Sequence, residues 1–342
     1  MNVFEAVLPV VLVATLGYGA RRLHIFSEIE TSAIERIAFW YLLPCMLFLG
    51  GATADFPADI DWHYLGVFYG VLFATYLGAM LIGRVFFRLD WHALSVFGMA
   101  GSYSNVTVLG IPLTLQFLGA GAFVPMILII TFHNLLLFGF GTLLMGLAAQ
   151  GGDSAWGNLQ RVVKEMVVNP ISGSLLLGAA WNLTGAGLYA PVEQTLELIG
   201  RAAVPGALFA LGAGLTRYRI SGELSAASLI VVLKLCAMPL MMWWAMQQFD
   251  FDPLWRDAAV LLSAMPVGIS VYVFSRRYAA LETAAATGIV LSSLLAAGSI
   301  SMWAWWLLRL LTSAAFYCAA LPPSTRQYSA VTPASCPTAR TE

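Results

Sequence analysis

A bilayer admits only segments whose backbone hydrogen bonds close internally, and a helix crossing its ~30 Å hydrocarbon core needs about 20 mostly apolar residues. Ten such runs punctuate this sequence: Val3–Ala20, Ser32–Thr53, Tyr64–Gly83, Ala93–Leu118, Gly121–Ala148, Pro170–Ala186, Val192–Leu215, Leu224–Phe249, Trp255–Ser275 and Thr283–Leu308. The expected fold is therefore an all-α integral membrane protein of about ten transmembrane helices. Composition agrees. Charged residues make up 10% of the chain and hydrophobic residues 60%, against about 25% charged in soluble domains. The stretch Met1–Ala20 carries Glu5 but no basic residue, so the first run reads as a retained helix rather than a cleavable leader.

Orientation follows from lysine and arginine, which accumulate in cytoplasmic loops. Every second connection holds them: Arg21 and Arg22, Arg84 and Arg88, Arg161 and Lys164, Arg217 and Arg219, Arg276 and Arg277. The intervening connections hold Asp55, Asp59 and Asp61, or Asp250 and Asp252, or no charge. Arg256 is the exception and stands beside Asp257. This alternation puts the basic loops in the cytoplasm and both termini outside, in a multi-pass protein of the inner (plasma) membrane.

The two halves repeat. Pro9 and Gly17 recur as Pro170 and Gly178, and Pro44, Leu47, Phe48 and Gly51 recur as Pro205, Leu208, Phe209 and Gly212, always 161 residues on. A proline inside a helix costs about 3 kcal/mol, so prolines and glycines in register carry more weight than matching leucines. Five helices per copy is odd, so the second copy enters from the opposite face. Such inverted-topology repeats build alternating-access transporters. The division expected is residues 1–149 for the first repeat, 150–169 for a cytoplasmic central loop, 170–310 for the second repeat, and 311–342 for a C-terminal end with a disordered, Pro/Ser/Thr-rich tail.

In this architecture the substrate sits at the midplane, where paired helices break and expose backbone groups. The fourth run contains Gly101, Ser102, Tyr103, Ser104, Asn105, Thr107, Gly110 and Pro112. Here Gly101, Gly110 and Pro112 read as helix breakers beside hydroxyl and amide side chains. The ninth run offers Pro266 and Gly268 as breakers, with Ser263, Ser270 and Tyr272 as polar groups. The N-terminal end of a half-helix carries partial positive charge and favours anions.

Ser104-Asn105-Val106-Thr107-Val108-Leu109-Gly110-Ile111-Pro112-Leu113 and Ala264-Met265-Pro266-Val267-Gly268-Ile269 resemble the fourth- and ninth-helix signatures of the auxin efflux carrier family. His133-Asn134-Leu135, Leu233-Lys234-Leu235, and Gly17-Tyr18 followed by Arg21-Arg22 resemble it too, so the likeness runs over nearly all of residues 5–310. The resemblance implies ten helices in two inverted five-helix repeats, a scaffold domain, and a transport domain with crossed helices four and nine. Bacterial members are associated with malonate, malate and related organic acids, and plant members with auxin. The chain departs from the pattern at Ser270 and Val267, where members often carry Asn and a polar residue, and at Ser104, where plant members carry Pro.

Individual residues carry two readings each. Asn105 reads as a substrate or crossover contact, or as a structural polar group bonding freed backbone. Ser104, Thr107, Ser270 and Tyr272 are candidate substrate contacts, although Ser often bonds back to its own helix. Pro112 and Pro266 either shape the site or kink a helix. His133 is a titratable candidate or an interhelical hydrogen-bonding group. Lys234, alone among lysines in lying inside a run, is either a cation that attracts a carboxylate or the partner of a structural one such as Glu5 or Glu35. Glu197 and Arg201, four apart, suit a helical ion pair. The tryptophans Trp243, Trp244, Trp303, Trp305 and Trp306 suit an interfacial belt.

The expected function is secondary transport of a small organic anion of malonate or malate type. A channel-like facilitator or a transporter-like membrane receptor is the alternative. No enzyme is expected. The four cysteines form no Cys-x-x-Cys pair, and His24, His63, His92 and His133 lie in separate segments, so neither metal nor cofactor is expected. No phosphate-cradling Gly-x-x-x-x-Gly-Lys-Ser/Thr loop is present. A net charge of −1 gives no basic surface for nucleic acid. The partners are the anion and the lipid bilayer, with coupling to H+ or Na+ and assembly as a homodimer both left open.

Overall fold

A computed structural model describes residues 3–54, 56, 61–148, 169–217 and 223–320. The central-loop residues Arg161 and Lys164, the side chain of Glu5, Arg219, and the tail beyond residue 320 lie outside the described residues. Regular structure among those described is helical: α1 (Val3–Arg22), α2 (Glu28–Ile37), α3 (Leu43–Thr53), α4 (Trp62–Phe87), α5 (Trp91–Ser102), α6 (Ile111–Leu118), α7 (Phe123–Ala148), α8 (Pro170–Leu183), α9 (Ala190–Arg201), α10 (Ala203–Leu215), α11 (Leu224–Val232), α12 (Met238–Met246), α13 (Pro253–Ser263), α14 (Ser270–Arg277) and α15 (Glu282–Ala320). Six helical stretches among them are long and apolar enough to cross a membrane: Glu28–Thr53, Trp62–Phe87, Ala120–Gly146, Ala190–Leu215, Leu224–Met246 and Glu282–Leu307. They coincide with the second, third, fifth, seventh, eighth and tenth apolar runs. The fourth and ninth runs are broken into α5 with α6 and α13 with α14.

Prolines account for the irregular turns. Wide π-type turns at Ala38–Leu42, Val106–Gly110 and Leu233–Ala237 each end two residues before a proline, namely Pro44, Pro112 and Pro239. A proline lacks the N–H for the ladder, and its ring collides with the carbonyl four residues back. A locally widened turn gives that carbonyl room. At Pro239 the carbonyl four back belongs to Leu235. It accepts hydrogen bonds from Ser299 Oγ at 3.1 Å and Trp303 Nε1 at 3.3 Å. This explains why Trp303 is buried rather than set in an interfacial belt, whereas Trp244, Trp305 and Trp306 are exposed.

Close helix contacts are made through glycine. The helix α1 packs on α10, and α3 on α8. A Cβ on Gly17 would collide with the Phe209 carbonyl, and one on Gly178 with the Phe48 carbonyl. Gly212 likewise abuts Ala14, and Gly51 meets Leu175. Shifting each contact by 161 residues turns one member of the pair into the other.

Candidate substrate site

At the centre of the molecule the fourth and ninth apolar runs cross without being helical. The helix α5 stops at Ser102, with Tyr103 as its C-cap in extended conformation. The helix α13 stops at Ser263. The two freed segments pair as a short antiparallel bridge between Ser104 and Val267. Asn105 N–H donates to the Pro266 carbonyl at 2.9 Å, and Gly268 N–H donates to the Tyr103 carbonyl at 3.2 Å. Val267 N–H donates to Ser292 Oγ at 3.1 Å. Backbone groups that could not stay unpaired in an apolar interior thus satisfy one another.

The placement of the breaks corrects the sequence reading. Gly101 lies within α5 against Ala79, and Gly110 lies within a helical turn, where a Cβ would press on Leu262. Both permit close packing, and neither ends a helix. Pro112 sits in the first turn of α6, where its missing N–H matters little. Pro266 contributes an acceptor carbonyl to the bridge. Gly268 is required by contact, because a Cβ there would enter the Tyr103 ring.

Beyond the bridge two new helical starts face one cavity of about 300 Å³. One begins at Val106, capped by Asn105, whose Oδ1 accepts from Val108 N–H at 3.3 Å. The other is α14, beginning at Ser270. Ser104, Asn105, Thr107, Gly268 and Ser270 all line the cavity. Ser104 Oγ is buried with no hydrogen-bond partner. The opposite wall comes from α2, α8 and α10 and includes Glu35, Ile171, Ala207 and Arg217.

Besides Pro266, three sequence candidates for substrate contact lie outside the cavity lining. Lys234 is fully buried, and its ammonium donates to the Ser263 carbonyl, at the C-terminal end of α13. A cation there complements the negative end of the half-helix. Glu35, offered from sequence as its partner, is instead bound to Arg217 at 2.8 Å. His133 is fully buried with its ring 4.9 Å from that of Tyr103. Tyr272 lies within α14, outside the cavity lining. Tyr103, Asn134 and Arg217 also line the cavity and are not among the substrate contacts expected from sequence. The Tyr103 hydroxyl donates to Asn134 Oδ1, and both side chains line the cavity. Asn134 had a signal, since it belongs to the His133-Asn134-Leu135 motif. Along the sequence Arg217 is only one of the loop charges that set topology.

Residues 2–304 match the family described as membrane transport protein. The chain belongs to this family, that of the auxin efflux carriers. Similar proteins include one named "Putative malonate transporter" from Rhizobium meliloti, 25% identical over 298 residues, covering 86% of this chain and 92% of that one. An "Uncharacterized transporter" from Methanothermobacter thermautotrophicus is 26% identical over 309 residues, covering 89% and 98%. "Uncharacterized transporter YfdV" from Escherichia coli K12 is 25% identical over 286 residues, covering 79% and 87%. This family member is thus a multi-pass membrane protein whose relatives are named transporters.

Proposed function

We propose that this protein is a secondary transporter that carries a small carboxylate of the malonate type by alternating access, with its site at the crossover. One observation carries the reading: two half-helix N-termini, at Val106 and Ser270, face a single cavity beside the unpartnered Ser104 hydroxyl and Asn105. Each N-terminus carries about half a positive charge, which suits an anion. The name of the Rhizobium relative points the same way.

The mechanism rests on two inverted five-helix repeats, residues 1–149 and 170–310, giving ten spans with both ends outside the inner membrane. The reciprocal glycine contacts support it, since Gly17 against Phe209 and Gly178 against Phe48 exchange under the 161-residue shift. In this reading α1, α2, α3, α8, α9 and α10 form the fixed scaffold. The crossover moves against that wall with its cargo, opening the cavity to one side at a time.

Counterflow in proteoliposomes tests the proposal. Vesicles preloaded with unlabelled malonate should accumulate labelled malonate transiently, because a carrier exchanges bound substrate across the membrane. Uptake that never overshoots would assign the channel-like alternative. Binding without any flux would assign a receptor.

A further inference from the structure

Among the described residues that line the cavity, only Glu35 and Arg217 are charged. Arg217 follows the end of α10, its N–H bonded to the Gly214 carbonyl at 3.1 Å. Its guanidinium reaches across to α2. Nη1 donates to both carboxylate oxygens of Glu35, at 2.9 and 2.8 Å, and Nη2 donates to Ser32 Oγ at 2.9 Å. Nε stands 3.7 Å from Glu28 Oε1. Gly214 makes room for this arrangement, since a Cβ there would lie 2.6 Å from Glu35 Oε1. Both side chains keep about a third of their surface accessible, 31% for Arg217 and 32% for Glu35, so the pair meets whatever fills the cavity.

We propose that Arg217 is a carboxylate-receiving residue on the cavity wall, and that Glu35 is the resident carboxylate which a transported one displaces from it. The inference rests on the reading of the cavity as a carboxylate site. Glu35 presents to Arg217 the same chemical group that such a substrate carries, and a guanidinium fork binds carboxylates interchangeably. While the cavity is empty, Glu35 neutralises the guanidinium and holds it in place. An incoming anion finds a preformed fork instead of a mobile side chain and exchanges one carboxylate for another. Under the 161-residue shift Glu35 corresponds to Leu196 and Arg217 to Phe56. The device therefore belongs to one face of the transporter, the face where the basic loops gather.

The alternative role is a clamp that only ties α2 to α10. Malonate flux in vesicles of each orientation separates the two. On the receiving reading, Arg217→Gln raises the half-saturating malonate concentration from the basic-loop side by roughly tenfold or more, the scale of one hydrogen bond to a charged group. Arg217→Lys does so less, and Glu35→Gln lowers the value by removing the competitor. From the opposite side all three match the parent. The exchanged pair Glu35→Arg with Arg217→Glu rebuilds a clamp, and should recover thermal stability without recovering half-saturation. Half-saturation that stays within about twofold of the parent in Glu35→Gln and Arg217→Lys, or full recovery in the exchanged pair, would overturn the proposal and leave the clamp. A parent protein that moves no malonate, succinate or acetate would instead overturn the carboxylate reading itself, and this inference with it.

Discussion

Among single residues, Asn105 and Lys234 separate contact from support. Asn105 lines the cavity and caps the helical start at Val106. Losing such a cap costs about 1 kcal/mol, which a folded membrane protein survives. Asn105→Ala should therefore insert and purify normally while malonate counterflow falls by about tenfold or more. A parent-like rate in this variant would place the substrate elsewhere. Lys234 stands in the opposite relation to the cavity, since its ammonium is spent on the Ser263 carbonyl behind the crossover. Lys234→Met leaves that buried acceptor without its donor, at a cost of about 1–3 kcal/mol. The melting temperature in detergent should drop, and the half-saturating malonate concentration of the surviving protein should stay unchanged. A raised value without loss of stability would restore Lys234 to the substrate's surroundings. From the sequence alone the two roles are indistinguishable. A lysine in an apolar run announces that something unusual is nearby, but not whether that thing is a ligand or the end of a helix.

At the level of helices, the glycine contacts between α1 and α10 and between α3 and α8 should be energetically matched. Gly17→Ala and Gly178→Ala each drive a methyl into a carbonyl of the facing helix, and such overpacking costs about 1–3 kcal/mol. Thermal melts should show similar losses for the two. Gly19→Ala, where a Cβ would meet nothing within 4 Å, should leave the melt unchanged. Unequal losses at Gly17 and Gly178 would count against the equivalence of the two halves. The spacing of prolines and glycines marked the glycines that make these contacts, and the pairing of Glu197 with Arg201, seen at 2.7 Å, was legible too. The position of the breaks was not. Gly101 and Gly110 look like breakers in one dimension, yet both stay helical because α5 and the turn at Val106 press against Ala79 and Leu262. The chain opens between them instead, where the segment at Val267 supplies the backbone partners that extended residues need.

The whole molecule makes its own prediction through topology. In a cysteine-free background, single cysteines at Asp250 and Gln248 should react with an impermeant maleimide added outside intact cells. Cysteines at Arg88 and Arg276 should react only after the cells are opened. The opposite or a mixed pattern would remove the inverted repeat and the alternating access built on it. The sequence by itself determined the membrane class, the places of most spans, where basic and acidic residues collect along the chain, and the two apolar runs that break. Each of these depends on local sums, such as how apolar 20 consecutive residues are or where charge collects between them. The tertiary structure alone decided which polar groups share the cavity. Arg217 meets Glu35 across 182 positions of chain, and Lys234 meets Ser263 across 29. Hydropathy and spacing describe a residue's neighbours along the chain. Whether a buried charge faces a ligand, another charge or a helix end depends on neighbours in space, which only the packing of α2, α10 and the crossed half-helices sets.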